Sequence, residues 1–266
     1  MTISHTELNS VQHGSTFEVV VDTQDASLLV ESRQLIQALG NQNSPPTHTI
    51  YFGACGVEIR LPNRAEKKGY QVDFNKIDRR TGAGNLSKKQ LFPKAIGVAT
   101  ETVLDITAGL GVDSAMLALM GYSVCAIERS PVISVLLRDG LRRANKNNDL
   151  HKALGGRLEF IESESLIVMK NTREVDVVYM DPMFPPKRKM SALPQGSIQM
   201  LQAIVGHSEA KQEAELFYMA TKTATKRVVV KRPNYAPLFN DNPIVVHKGK
   251  LVRYEVYAPN NTKPRS

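Results

Sequence analysis

The chain has 266 residues, 42% of them hydrophobic, enough for one large domain, or one domain with a small partner, around a sizeable core. No stretch approaches the roughly 20 apolar residues of a membrane span, the N-terminus lacks the basic start and apolar run of a secretory signal, and two cysteines, Cys55 and Cys125, are too few for a disulfide framework or a cysteine-based zinc site. The formal charge of +8 is unevenly spread: residues 1–60 carry Arg33 and Arg60 against six acids, a net of −4, so the rest carries +12, which either favours a polyanionic partner or merely aids solubility.

In chain order, "TFEVVVD" and "THTIYFG" read as short strands around a helical stretch, "ASLLVESRQLIQALG", closed by Gly40; "NQNSPPTH" is a loop and "CGVEIRLP" a further strand. Residues 1–70 are therefore expected to form a small α+β domain without a catalytic constellation. From Arg60 to Lys94 ten cations face three acids, and "DRRTGAGNLSKKQ" combines cations with two glycines and little apolar content. Residues 71–95 read either as a solvated linker or as a basic flap over a ligand or a nucleic-acid backbone, with Arg79 and Arg80 touching RNA or capping a cofactor.

Residues 96–266 are regular. "TVLDITAG", "YSVCAIER", "RLEFIES", "VDVVYMD" and "KRVVVKRP" are strands. Between them lie the helices "VDSAMLALMG" and "SPVISVLLRDGLRRANKN", the latter capped by Ser130 with Pro131 in its first turn, and a long helical region from about Ser197 to Ala224. "NPIVVHKGKLVRYEVYAP" reads as a closing antiparallel hairpin. Alternating strands and helices predict a parallel sheet covered on both faces.

Ligands of open α/β sheets bind beyond the carboxyl ends of the strands. There the first strand of this region gives Asp105 and the turn "TAGLG", with Gly109 and Gly111, followed by Val112 and Asp113. The second gives Glu128 and Arg129, the carboxylate placed to accept from both ribose hydroxyls of an adenosine. The third gives Glu164 and Ser165, beside an adenine edge, and the fourth gives Asp181. A dinucleotide fingerprint needs a third glycine where Ser114 stands. Acids around the turn, Asp113 above all, compete with a pyrophosphate for the helix amides. They suit S-adenosylmethionine, which carries a sulfonium and an ammonium. An NAD-dependent oxidoreductase is the alternative enzyme, and a catalytically silent RNA-binding protein the alternative class.

"DITAGLGVDS", "ERSPVISVLLRDGL", "VVYMDPMFPPK" and "TKRVVVKRPNYAP", in this order and spacing, resemble the RsmJ family of bacterial 16S ribosomal RNA methyltransferases. The resemblance covers about residues 72–258. It implies a class I methyltransferase fold, a Rossmann-like α/β sheet of seven strands with the last antiparallel. It also implies S-adenosylmethionine as cofactor and methylation of the exocyclic N2 of a guanine, 1516 in the usual numbering, in the small ribosomal subunit. The family's cofactor contacts fall on Val112, Asp113, Glu128, Arg129, Glu164, Ser165 and Asp181, with Glu164 departing from the usual serine. "DPMF" resembles the amine-methylating motif Asn/Asp-Pro-Pro-Tyr/Phe but has Met183 at the second proline.

Guanine N2 is a weak nucleophile because its lone pair is delocalised. Asp181 and the Pro182 carbonyl are expected to accept its N–H groups and Phe184 to stack on the base, worth about 1–3 kcal/mol. Lys187, Arg188 and Lys189 would grip phosphates beside the extruded nucleotide, with Lys226, Arg227, Lys231 and Arg232 around the fifth strand adding to them; a solvated turn is the bland reading of "PPKRK". Tyr235 is equally a stacking surface or a rim residue. The six histidines lack metal-ligand spacing, so no metal is expected. The partner is 16S ribosomal RNA or the small subunit, and the enzyme a cytoplasmic monomer.

Overall fold

In the computed structural model, which describes residues 15–42, 44–61, 69–81, 84, 86–172, 174–183, 204 and 210–260, the N-terminal segments form a three-stranded sheet. Its strands are β1 (Phe17–Asp22), β2 (His48–Gly53) and β3 (Gly56–Arg60). β1 and β2 run parallel because α1 (Ala26–Leu39) carries the chain back, whereas the turn at Ala54 and Cys55 makes β3 antiparallel to β2. Asp25 starts α1 by accepting the N–H groups of Ser27 at 2.9 Å and Leu28 at 3.2 Å, and Gly40 ends it.

The second sheet comprises β4 (Thr102–Asp105), β5 (Ser123–Glu128), β6 (Leu158–Glu162), β7 (Val175–Met180), β8 (Ala224–Pro233), β9 (Val245–Lys248) and β10 (Val252–Tyr257). Their spatial order is β6-β5-β4-β7-β8-β10-β9. The five strands β4 to β8 are parallel, and β10 enters antiparallel between β8 and β9, as expected of the last strand. A parallel sheet must be covered on both faces, which is why its strands read as unbroken apolar runs. Val103, Val177, Tyr179 and Val229 point to one core, with α3 (Val112–Leu119) and α4 (Pro131–Lys146). Leu104, Val178, Met180, Val228 and Val230 point to the other, with α6 (Ser165–Asn171) and α7 (Ala210–Thr223). The described part of the long helical region read after Ser197 is α7, apart from Ile204. No helix among the described residues is long and apolar enough to cross a membrane.

Three short helices escape the sequence pattern: α2 (Leu91–Ile96), α5 (Asn148–Leu154) and α6. Six or seven residues show too little periodicity to register. Asn147 separates α4 from α5 by ending one and capping the next, accepting the Leu150 N–H at 3.1 Å. The stretch read as linker or flap is anchored, since Val72, Phe74, Ile77, Phe92 and Ala95 are all buried.

α4 is buried nearly all round because it lies between the two sheets. Its Gly140 lets Val72 approach so closely that an added Cβ would sit 2.7 Å from Val72 Cγ1. Asp139, fully buried, binds Arg142 and Arg143 Nε, the latter at 2.8 Å, and Arg143 also donates to the Val72 carbonyl. Removing the shared carboxylate leaves Arg143 without its carboxylate partner and Arg142 with only the longer contact to Asp25 at 3.8 Å. Asp139→Ala should therefore lower unfolding free energy by about 2–4 kcal/mol, read by urea denaturation.

Candidate functional site

The carboxyl ends of β5, β4 and β7 lie side by side, bordering the crevice where open α/β sheets bind ligands; β4 and β5 end in an acid and β7 leads directly into one. Asp105, 1% exposed, accepts the Thr107 N–H at 3.1 Å and the Ser114 hydroxyl. Burial pushes its carboxyl up to about 7, against those two hydrogen bonds. Gly109 and Gly111 both have left-handed φ, 54° and 72°, which the tight turn from strand to helix demands. The turn is held by Glu128, whose oxygens accept the N–H of Gly109 at 3.0 Å and of Ser130 at 2.8 Å. Burial raises the Glu128 carboxyl, and backbone N–H groups oppose it. Val112 is exposed at the start of α3. Arg129 and Glu164 pair across the mouth at 3.7 Å, so Glu164 does not simply face solvent. Ser165 commits its hydroxyl hydrogen to the Ile106 carbonyl at 2.6 Å.

Asp181 follows β7 directly. Its N–H donates to Thr107 Oγ1 at 2.6 Å, fastening the end of β7 to the glycine turn. Its side chain is 38% exposed, and one oxygen, Oδ2, meets Lys231 Nζ at 2.9 Å. The same ammonium reaches Asp113 Oδ2 at 2.7 Å, and the Tyr179 hydroxyl donates to that oxygen at 2.6 Å. Burial works to raise Asp113, but Lys231 and Tyr179 outweigh it and hold the carboxyl below its ordinary value. Asp181 stays raised, burial and the like charge of Asp113 prevailing over Lys231. Lys231 itself is held well above its ordinary range, since the two carboxylates outweigh its burial. Phe92 of α2 lines this arrangement, 5.0 Å from the Tyr179 ring and 5.1 Å from the Tyr254 ring.

The basic residues of β8 need correction as phosphate contacts. Lys231 is an internal partner of two acids. Arg232, 4% exposed, donates to the Pro237 carbonyl and lies over Phe239. Lys226 and Arg227 sit at the other end of the strand, five residues or roughly 17 Å from Lys231. There Lys226 pairs with Asp176 at 3.0 Å and Arg227 donates to the Ala95 carbonyl at 3.2 Å. Arg79 is exposed, as is Arg80, which pairs with Asp78. Pro182 is buried behind Asp181. Phe184, Lys187, Arg188 and Lys189 lie outside the described residues. Sequence reasoning missed Thr107 and Tyr179 as site residues and gave Lys231 a different role. The register that sets Met180 opposite Val230 is what places Asp181 beside Lys231, and it belongs to the folded sheet.

The loop after β8 is fixed by Arg253, which is paired with Glu255 at 2.7 Å and donates to the carbonyls of Pro233, Asn234, Ala236 and Pro237. Tyr235, half-exposed, is carried on this loop.

The chain is similar to known methyltransferases. A family model described as a putative SAM-dependent methyltransferase matches residues 31–259. The ribosomal RNA small subunit methyltransferase J of Coxiella burnetii (strain RSA 331 / Henzerling II) is 38% identical over 235 residues, spanning 85% of this chain and 89% of that protein. Its namesake from Shewanella sediminis is 40% identical over 199 residues, spanning 72% and 75%. Among solved structures, the SAM-dependent methyltransferase of Neisseria gonorrhoeae aligns with a TM-score of 0.68 at 32% identity, covering 93% of this chain and 98% of that one.

Asp105 has a consequence for stability. Its carboxyl is raised in the fold, so between about pH 4 and pH 7 the native state holds a proton that the unfolded chain has released. Stability should fall as pH rises through that window, by about 4 kcal/mol at most from this group. Urea unfolding at pH 5 and pH 8 should show a smaller difference in Asp105→Asn than in the wild type.

Proposed function

This chain belongs to the SAM-dependent methyltransferase family matched above, alongside the ribosomal RNA small subunit methyltransferases J, and from that premise we propose that it methylates the exocyclic N2 of a guanine in 16S ribosomal RNA. The observation that carries this reading is Asp181, a half-exposed carboxylate fastened to the glycine turn and leading straight into a proline. It faces the same crevice as the acids at the ends of β4 and β5.

The donor set fits S-adenosylmethionine. Four carboxylates, Asp105, Asp113, Glu128 and Asp181, surround the crevice, offset among the described residues by the one ammonium that bridges two of them. Such a site favours a sulfonium and an ammonium and repels a pyrophosphate. Glu128 keeps a lone pair on each oxygen for ribose hydroxyls, Val112 offers an apolar surface, and Glu164 and Ser165 flank the place for adenine. When bound, S-adenosylmethionine supplies a methyl carbon activated by its positively charged sulfur. Asp181 and the Pro182 carbonyl accept the N–H groups of the target amine, returning electron density to its nitrogen. Asp181 takes up the proton that the alkylated nitrogen sheds. Phe184 stacks on the base.

Phosphate contacts fall to a different set of cations. Lys88 and Lys89 are exposed just before α2, and Lys248 and Lys250 flank the turn between β9 and β10. Leu91 Cδ1 lies 3.2 Å from where a Cβ at Gly249 would be, so the two segments touch. Asn234, at the end of β8, donates to the carbonyls of Gly249 at 2.9 Å and Lys250 at 3.1 Å, which puts that turn at the crevice end of the sheet. With Arg79 and Arg80, these lysines form the RNA-facing rim of a cytoplasmic monomer.

Purified protein incubated with the methyl donor and small-subunit RNA from cells lacking it should place one methyl group on a guanine N2, located by mapping modified nucleotides. Asp181→Ala should cut the rate at least about 100-fold. Absence of RNA methylation by the wild type, or an undiminished rate in the variant, would end this reading. Lys248→Ala with Lys250→Ala should weaken RNA binding and lower its salt slope by about 1–2, measured by fluorescence anisotropy.

A further inference from the structure

The ammonium between Asp113 and Asp181 is spent inside the protein. Lys231 donates to Asp113 of α3 at 2.7 Å and forms an ion pair at 2.9 Å with Asp181, which follows β7. The trio carries a net negative charge, so it attracts no phosphate. Its walls are aromatic: Tyr179 from β7, Tyr254 from β10 and Phe92 from α2. Lys231 meets Asp181 at Oδ2, 2.9 Å away, and no contact to Oδ1 is seen among the described residues.

We propose that Lys231 is a positioning residue for methyl transfer: it clamps one oxygen of Asp181 to the helix of the glycine turn, leaving the other oxygen ionised and free to accept the target amine. This rests on the methyl-transfer role of Asp181 given above. An acceptor held at a single oxygen, with its backbone N–H on Thr107, cannot swing away from the turn that holds the cofactor. The clamp also sets charge. Among the described residues, the groups facing Asp181 are Asp113 from α3, Asp105 from β4, Tyr179 from its own strand, Tyr254 from β10 and Lys231 from β8. Lys231 alone of these is a cation, so its removal leaves burial and Asp113 to drive Asp181 toward its protonated form. A protonated Asp181 accepts poorly and takes up no proton.

Lys231→Met tests this with three readouts. In the cofactor-free protein, the Asp181 carboxyl, followed by carbon-13 NMR, should titrate at least about one pH unit higher than in the wild type. The acidic limb of kcat should move up with it, with kcat at pH 7 falling about 30-fold and recovering partly at pH 9. S-adenosylmethionine affinity by calorimetry should stay within about threefold of wild type. Lys231→Arg keeps the cation and should hold the titration near its wild-type midpoint; it also serves if the methionine variant does not fold. An unmoved midpoint and limb would overturn the proposal. So would cofactor affinity falling in step with kcat, which would make Lys231 a cofactor ligand. Wild-type protein that methylates no RNA defeats the functional reading instead, and the NMR titration still reports on the clamp.

Discussion

Crowding of like charge at the carboxyl ends of three parallel strands is the constraint around which this molecule is arranged. Asp105 and Glu128 end β4 and β5, Asp181 follows β7, and Asp113 opens the helix after the first of them. Burial disfavours the charge of all four, Asp113 adds repulsion at Asp105 and Asp181, and the fold answers each differently. Asp105 sits raised toward neutrality, Glu128 is tied into backbone N–H groups, and Asp113 and Asp181 share an ammonium. Under the proposed reading, the residual negative field favours a cationic ligand over a pyrophosphate.

Much of this was legible in the residues. The alternation of strands and helices gave the parallel sheet, and reading only the strand ends gave Asp105, Glu128 and Asp181 as neighbours in space. Ser130 does cap α4, accepting the Ile133 N–H. What the sequence hid was direction. "KRVVVKRP" shows four cations around an apolar run, and composition treats them alike. In the structure one pair lies at the far end of the strand, Arg232 turns inward, and Lys231 points at acids more than a hundred residues away in one case. A cation's partner is set by register between strands, which a count of charges does not contain. Phe184 and the cations at 187–189 fall outside the described residues, so the stacking half of the motif stays a reading of the sequence.

The stretch between the two sheets shows the same limit. Its cations and glycines suggest a linker or flap, yet Phe92 packs against Tyr179 and Tyr254 and so builds one wall around Lys231. A few apolar residues among many polar ones decided where that segment lies. Likewise α4 joins the two sheets through a single buried acid, Asp139, whose arginines reach both its own helix and the carbonyl of Val72.

The position of β10 carries a consequence for biosynthesis. Tyr254, which walls in the central ammonium, belongs to a strand that begins only at Val252, and this strand separates β8 from β9. A chain interrupted before Val252 has no such strand to insert. Contacts between residues this distant in sequence also bear the entropy of closing long loops before they gain anything. One wall around Lys231 is thus supplied by a strand late in the chain that is inserted between two earlier ones.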